Sequence, residues 1–373
     1  MSFWSLLDIA VFICAAVLTG LIIPQILLIA FRKKLFDEID PRKIHKGVVP
    51  RLGGIAFFPA MLFSILFVLG MVTLFEGLWG VYEVPLNFRA ISMVTCAVTM
   101  LYLLGMADDL VGVRYRAKFV IQILAGLFLF IGGISMTDFH GFLWINELPL
   151  FIQILFTVLL TVFITNAINL IDGIDGLASG LSSIAFMFYG IILFDQGMHY
   201  YAILSFAALG TLLPFFYYNV FGKAGKHTKI FMGDTGALTI GLLLSVLSLR
   251  TCMLPRCADG VNPAVAAFAP LLIPCFDVVR VYLHRLRRKR NPFLPDKTHI
   301  HHKLLALGLQ QRIAMPVILC FAAGLILLNY WLGSIINITF MFLIDLVIWV
   351  SVNYLLTRLI RRRESRLSAT LFD

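Results

Sequence analysis

The chain has 373 residues, of which 60% are hydrophobic and 13% are charged, and its formal net charge is +10. This composition, with a mean hydropathy of +0.94, is typical of a polytopic membrane protein and excludes a large soluble globular core. The predicted fold class is therefore all-α and polytopic.

Eleven apolar segments are predicted to cross the membrane as helices, since about 20 apolar residues span its hydrocarbon. Together they predict one transmembrane domain over residues 1–357, followed by a basic cytoplasmic tail at 358–373. The predicted spans lie near 5–31, 53–75, 90–107, 117–134, 148–166, 177–194, 200–221, 236–250, 263–284, 313–333 and 335–357.

Lys and Arg residues decide the predicted orientation, because they collect on the cytoplasmic side of membrane proteins. If the N-terminus lies outside, the cytoplasmic segments hold 26 of the 30 basic residues, and the C-terminus is cytoplasmic. Topology and attraction to anionic lipid headgroups then explain the positive charge better than nucleic acid does. The predicted cytoplasmic loops are 32–52, 108–118, 167–176, 222–235 and 285–313.

Acidic and amide side chains gather at the cytoplasmic ends of three predicted spans. Such carboxylates repel one another, and a divalent cation relieves that repulsion. Oxygen ligands without nearby His or Cys favour Mg²⁺, with Mn²⁺ as the other choice. The residues concerned are Asp108 and Asp109 after the third span, Asn166, Asn169, Asp172 and Asp175 after the fifth, and Asp234 before the eighth.

The run from Asn166 to Asp175 places a polar residue at every third position. On a straight α-helix its first and last members finish on opposite faces, whereas a tightened 3₁₀-like end lines all four up. Gly173 and Gly176 predict that the helix is interrupted within the run.

The loop at 285–313 supplies positive charge and three histidines. We predict a short helix that is capped by Thr298 or Asp296 and ends near Gly308, with His301 and His302 in its first turn. Free N–H groups there favour an anion, so phosphate contact is preferred to a zinc site.

In addition, the first loop offers His45 and the pair Gly53-Gly54 as a phosphate loop, and Lys118 can point back at the carboxylates.

Six segments in register resemble the polyprenyl-phosphate N-acetylhexosamine-1-phosphate transferases, the family that includes the translocase forming lipid I. The resemblance covers residues from about 40 to 308. It implies that a UDP-sugar donates sugar-1-phosphate to a polyprenyl phosphate, giving UMP, with Mg²⁺ required. The segments are HKGVVPRLGG, ADDL, NAINLIDGIDGLASG, FMGDTGA, IPCFD…R and PFLPDKTHIHH.

The resemblance also implies a role for each site residue. Asp234 is similar to the principal magnesium ligand, with Asn169, Asp108 and Asp109 close by. Two departures stand out: Ala237 replaces the serine of a GDxGS motif, and the HIHH form differs from that of the lipid I enzymes. The substrate-binding candidates are Asn166 and His45, Asp172 and Asp175 for the metal side and nucleoside of the donor, Phe231 for stacking on uracil, Arg285, His301 and His302 for the donor diphosphate, and Lys118 for the acceptor phosphate.

Several alternatives stay open at this stage. Direct attack by the acceptor, aided by Asp108 or Asp109 as a base, is favoured over a covalent aspartyl intermediate. The histidine loop is more similar to N-acetylglucosamine-type enzymes of O-antigen, enterobacterial common antigen or teichoic acid synthesis than to the lipid I enzyme, so UDP-N-acetylglucosamine is the first choice of donor. A transporter is the rival from another class, but the acidic cluster lies at one face and no matching halves are visible.

The expected location is the bacterial cytoplasmic membrane, with the site facing the cytoplasm. On the outer face, Cys252 and Cys257 flank a short loop in which an oxidising compartment could join them. Asp345, in the middle of the last span, is expected to face a partner helix, which could belong to a second copy in a homodimer.

Overall fold

A computed structural model of the protein describes residues 2–35, 48–74, 87–257, 259–289 and 298–369. Helices dominate these residues, which confirms the predicted all-α class, and one antiparallel hairpin is the exception. The elements are α1 (Phe3–Lys33), α2 (Phe57–Leu74), α3 (Phe88–Val111), α4 (Tyr115–Ile131), β1 (Asp138–Phe142), β2 (Ile145–Glu147), α5 (Leu150–Ile171), α6 (Leu177–Asp195), α7 (His199–Val220), α8 (Gly233–Cys252), α9 (Pro263–Phe268), α10 (Leu272–Arg287), α11 (Ile300–Ala306), α12 (Gln311–Leu332) and α13 (Ile338–Ala369).

Every predicted span coincides with helix in the described part of the chain. Ten of the helical segments found there are long and apolar enough to cross a membrane. The predicted fourth span is α4, whose 17 residues stand at the short end of the lengths that cross a bilayer. The chain is thus a multi-pass membrane protein, and the placement of its N-terminus outside stays a prediction.

The segment 263–284 was predicted as one continuous helix, but in the structure it consists of two helices, α9 and α10. A 3₁₀ turn at Ala269–Leu271 separates α9 from α10. Pro270 lies within this turn and Pro274 follows in α10; proline lacks the N–H that a continuous α-helix needs. The break directs α10 towards the histidine-bearing loop.

Helix α8 is the centre of the bundle, and all of its residues from Thr235 to Leu249 are buried. It packs mainly against α3 and α5. Gly241 lies against the backbone of Thr165, and Gly105 lies against that of Thr235. Within lipid, such small residues allow the close approach from which helix association gains its packing energy.

We expect Gly241→Ala to destabilise the protein by about 1–3 kcal/mol through overpacking. The added methyl carbon would lie 2.7 Å from the Cα atom of Thr165. Gly324→Ala is the matched control, because a methyl group there meets no described atom within 4 Å and alanine favours helix. Thermal unfolding in detergent checks this, and equal midpoints for the two variants would contradict the close approach of α5 and α8.

The two cysteines that were predicted to lie on the outer face are not joined. Cys252 and Cys257 are both free, buried thiols, so the disulfide considered from the sequence is absent from the structure. Burial raises the pKa of the Cys257 thiol to about 11, which keeps it protonated at neutral pH. The nearby hairpin of β1 and β2 was not predicted, because its two short strands lie between long apolar segments.

Asp345 finds its partner within the same chain. Its Oδ1 atom accepts a hydrogen bond of 2.8 Å from the Nδ2 atom of Asn329 in α12. Both side chains are buried, so the amide satisfies a carboxyl group that would otherwise be costly inside the membrane. A helix from a second copy is therefore not needed to satisfy this oxygen.

Candidate active site

The acidic run ends a helix and then turns. Helix α5 ends at Ile171, so Asn166 and Asn169 are helical, while Asp172 and Asp175 belong to the turn that follows. We call residues 172–176 the acidic turn. Gly176 takes a φ of 77° just before α6 begins, a conformation that glycine adopts without strain. The predicted interruption is confirmed, and the run is not a 3₁₀ extension of the helix.

One buried amide ties this turn to the loop that precedes α8. Asn219 of α7 accepts a hydrogen bond of 2.6 Å from the N–H group of Gly176. Its Nδ2 atom donates to the carbonyl oxygen of Ile230 at 2.9 Å. Sequence reasoning missed Asn219, since a single asparagine at the end of an apolar span gives no motif.

Asp109 holds the beginning of α8. Its Oδ1 atom accepts from the N–H group of Asp234 at 2.8 Å. Its Oδ2 atom accepts from both the N–H group and the hydroxyl of Thr235, at 2.8 and 2.6 Å. Gly233 has a φ of 74° here, and a Cβ atom on it would lie 2.6 Å from Asp109. Asp109 therefore satisfies N–H groups that a helix start leaves free.

Lys118 lies between the other two carboxylates of the site. Its ammonium group contacts Asp108 and lies 3.7 Å from the Oδ1 atom of Asp234. Asn169 donates to that same Oδ1 atom at 2.5 Å. The expectation that Lys118 points back at the carboxylates is confirmed. We call Asp108, Lys118, Asn169 and Asp234 the carboxylate–lysine cluster.

The carboxylate–lysine cluster fits a hard divalent cation in part. No set of three or more His, Cys, Asp or Glu side chains in the described ranges has the arrangement of a metal site. However, Mg²⁺ is commonly held by one or two carboxylates together with substrate phosphates. Asp108 and Asp234, with the amide oxygen of Asn169, supply that donor set, whereas Asp109 would first have to release the start of α8.

A second ion pair lies beside the acidic turn. The Oδ2 atom of Asp175 is 2.5 Å from the Nζ atom of Lys229, and this ammonium group is 5.8 Å from the ring centre of Phe231. A cavity of about 220 Å³ opens next to the pair and is bounded on its far side by the start of α12. Lys229 was not identified from the sequence, although its position two residues before Phe231 was the available signal.

The first-loop glycines brace this region instead of binding an anion. The N–H groups of Gly53 and Gly54 donate to the carbonyl oxygens of Phe231 and Met232, at 2.9 and 2.8 Å. In return, the N–H group of Phe231 donates to the carbonyl oxygen of Pro50 at 2.9 Å. The phosphate-loop interpretation of Gly53-Gly54 is therefore wrong, since their donors are already used.

Asp172 follows α5 directly, three residues before Asp175. Solvent reaches its side chain, yet the protein around it and the charges of Asp175 and Asp234 raise its pKa to about 7, while Arg51 opposes this shift. The two clusters adjoin at one site, because Asn169 at the end of α5 donates to Asp234 while Asn219 ties the turn after α5 to the segment before α8. A carboxyl group that titrates near neutral pH is characteristic of functional sites.

The short histidine helix exists, but its cap differs from the prediction. Helix α11 begins after His299, and the N–H group of Ile300 donates to Asp277 of α10 at 3.1 Å. The N-cap position is His299 instead of Thr298, and a carboxylate from another helix accepts from the first N–H group; Asp296 lies outside the described residues. The helix ends at Ala306, close to the expected Gly308.

His301 is buried against the acidic turn. A Cβ atom on Gly173 would lie 2.2 Å from its Nε2 atom, so only glycine leaves room for the ring. Neither ring nitrogen has a hydrogen-bond partner among the described residues. Burial, followed by the charges of His302 and His299, lowers the pKa of His301 to about 3. The imidazole is therefore neutral, and it can reach an anion only as an N–H donor.

The structure places two further predicted residues, Asn166 and Arg285, outside the two clusters. Asn166 exchanges hydrogen bonds with Gln122 of α4, of which the shorter is 2.7 Å, and so joins two helices. Arg285 is buried in the last turn of α10. His45 lies outside the described residues, and its role stays a prediction.

Comparison with known proteins agrees with this geometry. A family model described as glycosyl transferase family 4 matches residues 91–252. A probable undecaprenyl-phosphate N-acetylglucosaminyl 1-phosphate transferase of Bacillus subtilis (strain 168) is 32% identical over 361 residues, covering 93% of this chain and 88% of the relative. The chain belongs to glycosyl transferase family 4.

Other members of glycosyl transferase family 4 are similar over most of the chain. The undecaprenyl-phosphate α-N-acetylglucosaminyl 1-phosphate transferase of Yersinia pestis is 30% identical, covering 81% of this chain and 78% of the relative. That of Escherichia coli (strain K12) is 31% identical, covering 79% and 76%. The chain is thus a transferase enzyme, and the resemblance drawn from its motifs is confirmed.

We expect Asp109→Ala to lower the stability of the protein by more than about 3 kcal/mol, since hydrogen bonds to charged groups contribute about 1.5–3 kcal/mol each. Thr235→Ser keeps the hydroxyl and the N–H donor, and it serves as the conservative control. Thermal unfolding midpoints check this. An Asp109→Ala protein that is as stable as wild type but inactive would show that Asp109 acts in catalysis and not as a cap.

Proposed function

We propose that this enzyme transfers N-acetylglucosamine-1-phosphate from UDP-N-acetylglucosamine to undecaprenyl phosphate and releases UMP. The names of the relatives state transfer of N-acetylglucosaminyl 1-phosphate to undecaprenyl phosphate, and the UDP-linked donor is part of the proposal. The observation that carries the proposal is the pairing of two carboxylate clusters at one site, each with its own lysine.

The carboxylate–lysine cluster suits the reacting phosphates. Asp108, Asp234 and Asn169 are the residues that would hold Mg²⁺, and the bound ion would neutralise charge on the donor diphosphate. Lys118 offers a second positive charge between the same carboxylates. It is therefore placed to attract the acceptor phosphate to the donor.

The proposed step is a direct displacement. An oxygen of the acceptor phosphate bonds to the phosphorus that carries the sugar, while the bond from this phosphorus to the bridging oxygen breaks and the electron pair leaves with UMP. Of the two adjacent aspartates, Asp108 is the candidate base, because its Oδ2 atom contacts Lys118, the residue proposed to meet the acceptor phosphate. Its Oδ1 atom accepts from the N–H group of Val113 at 2.6 Å, whereas both oxygens of Asp109 hold the start of α8. Positioning of two anions beside fixed positive charges supplies the remaining catalysis.

The ion pair of Asp175 and Lys229 suits the nucleoside end of the donor. Phe231 offers a ring for stacking on uracil, and its backbone is fixed by the hydrogen bonds to residues 50 and 53. The adjacent cavity gives room for polar parts of the donor. In this arrangement His301 and His302 approach the diphosphate from the side of the acidic turn.

The acceptor accounts for the membrane location. Its isoprenoid tail would stay in lipid, since burial of each CH₂ contributes about 0.8 kcal/mol. The site would face the cytoplasm of a bacterial inner membrane, where UDP-sugars are made, and the product would begin a cell-surface glycan. No described contact favours the transporter alternative.

A donor panel tests the proposal. Purified protein with undecaprenyl phosphate and Mg²⁺ is given UDP-N-acetylglucosamine, UDP-N-acetylgalactosamine or UDP-N-acetylmuramoyl-pentapeptide, and UMP release is followed. We expect the first donor to be preferred. Preference for the pentapeptide donor would assign the protein to lipid I formation, and release from none would reject the transferase proposal.

We expect Asp234→Asn to abolish turnover while leaving a folded protein, because the charge that would recruit the cation is lost. Asp345→Asn is the matched control, since it removes a buried carboxyl group whose hydrogen-bond partner among the described residues is Asn329. UMP release measured across a Mg²⁺ titration checks this. Near-normal activity of Asp234→Asn at saturating Mg²⁺ would remove Asp234 from the metal role.

Lys229→Ala is expected to raise the KM for the UDP-sugar by about 10-fold, the equivalent of a 1.4 kcal/mol loss. The substitution removes the ion pair between Lys229 and Asp175, and it also removes the ammonium group that lies near the ring of Phe231. The KM for undecaprenyl phosphate should change little. Lys226→Ala, an exposed lysine in the same loop, is the control; equal effects of both variants would contradict a specific role for Lys229.

A further inference from the structure

Asp277 is a fully buried carboxylate outside the site described above, and α10 carries it. Its Oδ2 atom accepts from the Nδ1 atom of His299 at 2.8 Å. Its Oδ1 atom accepts from the N–H group of Ile300 at 3.1 Å and from Arg280 at 2.8 Å. Two of these three donors belong to the beginning of α11.

Arg280 holds the same segment from one turn further along α10. It donates to the carbonyl oxygen of Thr298 at 2.5 Å as well as to Asp277. Asp277 and Arg280 therefore fix three consecutive residues, from Thr298 to Ile300. A buried charge with paired and directional partners gives a defined geometry, and loss of one partner is costly.

The far end of α11 is held by the last helix. Lys303 donates to the Oδ1 atom of Asn353 at 2.9 Å and to the hydroxyl of Thr357 at 3.2 Å. Arg363 donates to the carbonyl oxygen of Ala306 at 3.1 Å. A helix of seven residues is too short to be stable alone, so these outside contacts determine where α11 lies.

The position of α11 decides the position of His301. The rings of His299 and His301 are parallel, with centres 5.7 Å apart, and His302 follows at 4.2 Å from His301. On its other side, the ring of His301 lies against Gly173, between Asp172 and Ile174 in the acidic turn. The contact leaves little room for the ring to shift without moving this turn.

We propose that Asp277 is a positioning residue for the donor site: by fixing His299 and the start of α11, it holds His301 against the acidic turn and His302 beside His301. The inference rests on the proposed function, in which these histidines and Asp172 and Asp175 meet the UDP-sugar. Asp277 itself contacts no substrate in this arrangement. Arg280 supports it by holding Thr298.

The kinetic test compares both substrates. We expect Asp277→Ala to lower kcat/KM for UDP-N-acetylglucosamine by about 10- to 100-fold, the range that loss of a hydrogen bond to a charged group gives. Most of the loss should appear in the KM for the donor, while the KM for undecaprenyl phosphate stays within about twofold. His299→Ala should resemble Asp277→Ala, whereas His299→Asn, which keeps a donor near the position of Nδ1, should recover most of the activity.

A second measurement reads the geometry without turnover. Amide hydrogen exchange of residues 300–303 should become faster in Asp277→Ala and in His299→Ala, but not in the control Asp345→Asn. If Asp277→Ala fails to fold, the pair His299→Ala and His299→Asn still decides the question. Their equal activities, or unchanged exchange in His299→Ala, would overturn the proposal.

Two other outcomes are separable. Equal losses for donor and acceptor, together with a lower unfolding midpoint, would show that Asp277 only stabilises the fold, and the proposal would be overturned. A wild-type protein that releases no UMP from any UDP-sugar would overturn the proposed function, and the exchange measurement would then still decide whether Asp277 fixes the start of α11.

Discussion

The start of α8 donates three hydrogen bonds to Asp109, and these bonds are the constraint around which the site is arranged. The central helix is buried along its length, so its first N–H groups need a partner from the protein. Asp109 supplies that partner and thereby brings the end of α3 to the start of α8. As a result, Asp108 and Asp234 lie close together, and the ammonium group of Lys118 lies between them.

The remaining parts of the site depend on similar exchanges between loops. Asn219 joins the acidic turn to the segment before α8, and residues 50–54 pair with Phe231 and Met232. Polar groups of the backbone at these helix ends are thus satisfied by one another, which a low-dielectric surrounding makes necessary. The donor-side and metal-side residues are held by the same set of bonds.

Sequence patterns predicted the spans and the main site residues because both leave local signals. Hydropathy marked the helices, and the motifs marked Asp108, Asp234 and His301. The sequence could not separate the role of Asp109 from that of Asp108. Two adjacent aspartates form one motif, and only the position of the start of α8 shows which of them accepts its N–H groups. Asn219 and Asp277 were missed as contacts for a related reason: the bonds that join them to other segments reach residues 11 or more positions away in the chain.

The two adjacent aspartates also differ in when their charges can be satisfied during synthesis. Lys118 follows Asp108 by only 10 residues, so the hairpin of α3 and α4 can balance this charge as soon as it is made. Asp109 must wait for Thr235, which lies 126 residues further along. Because long-range contacts form late and pay the larger loop-closure entropy, the arrival of α8 is the event that completes the site.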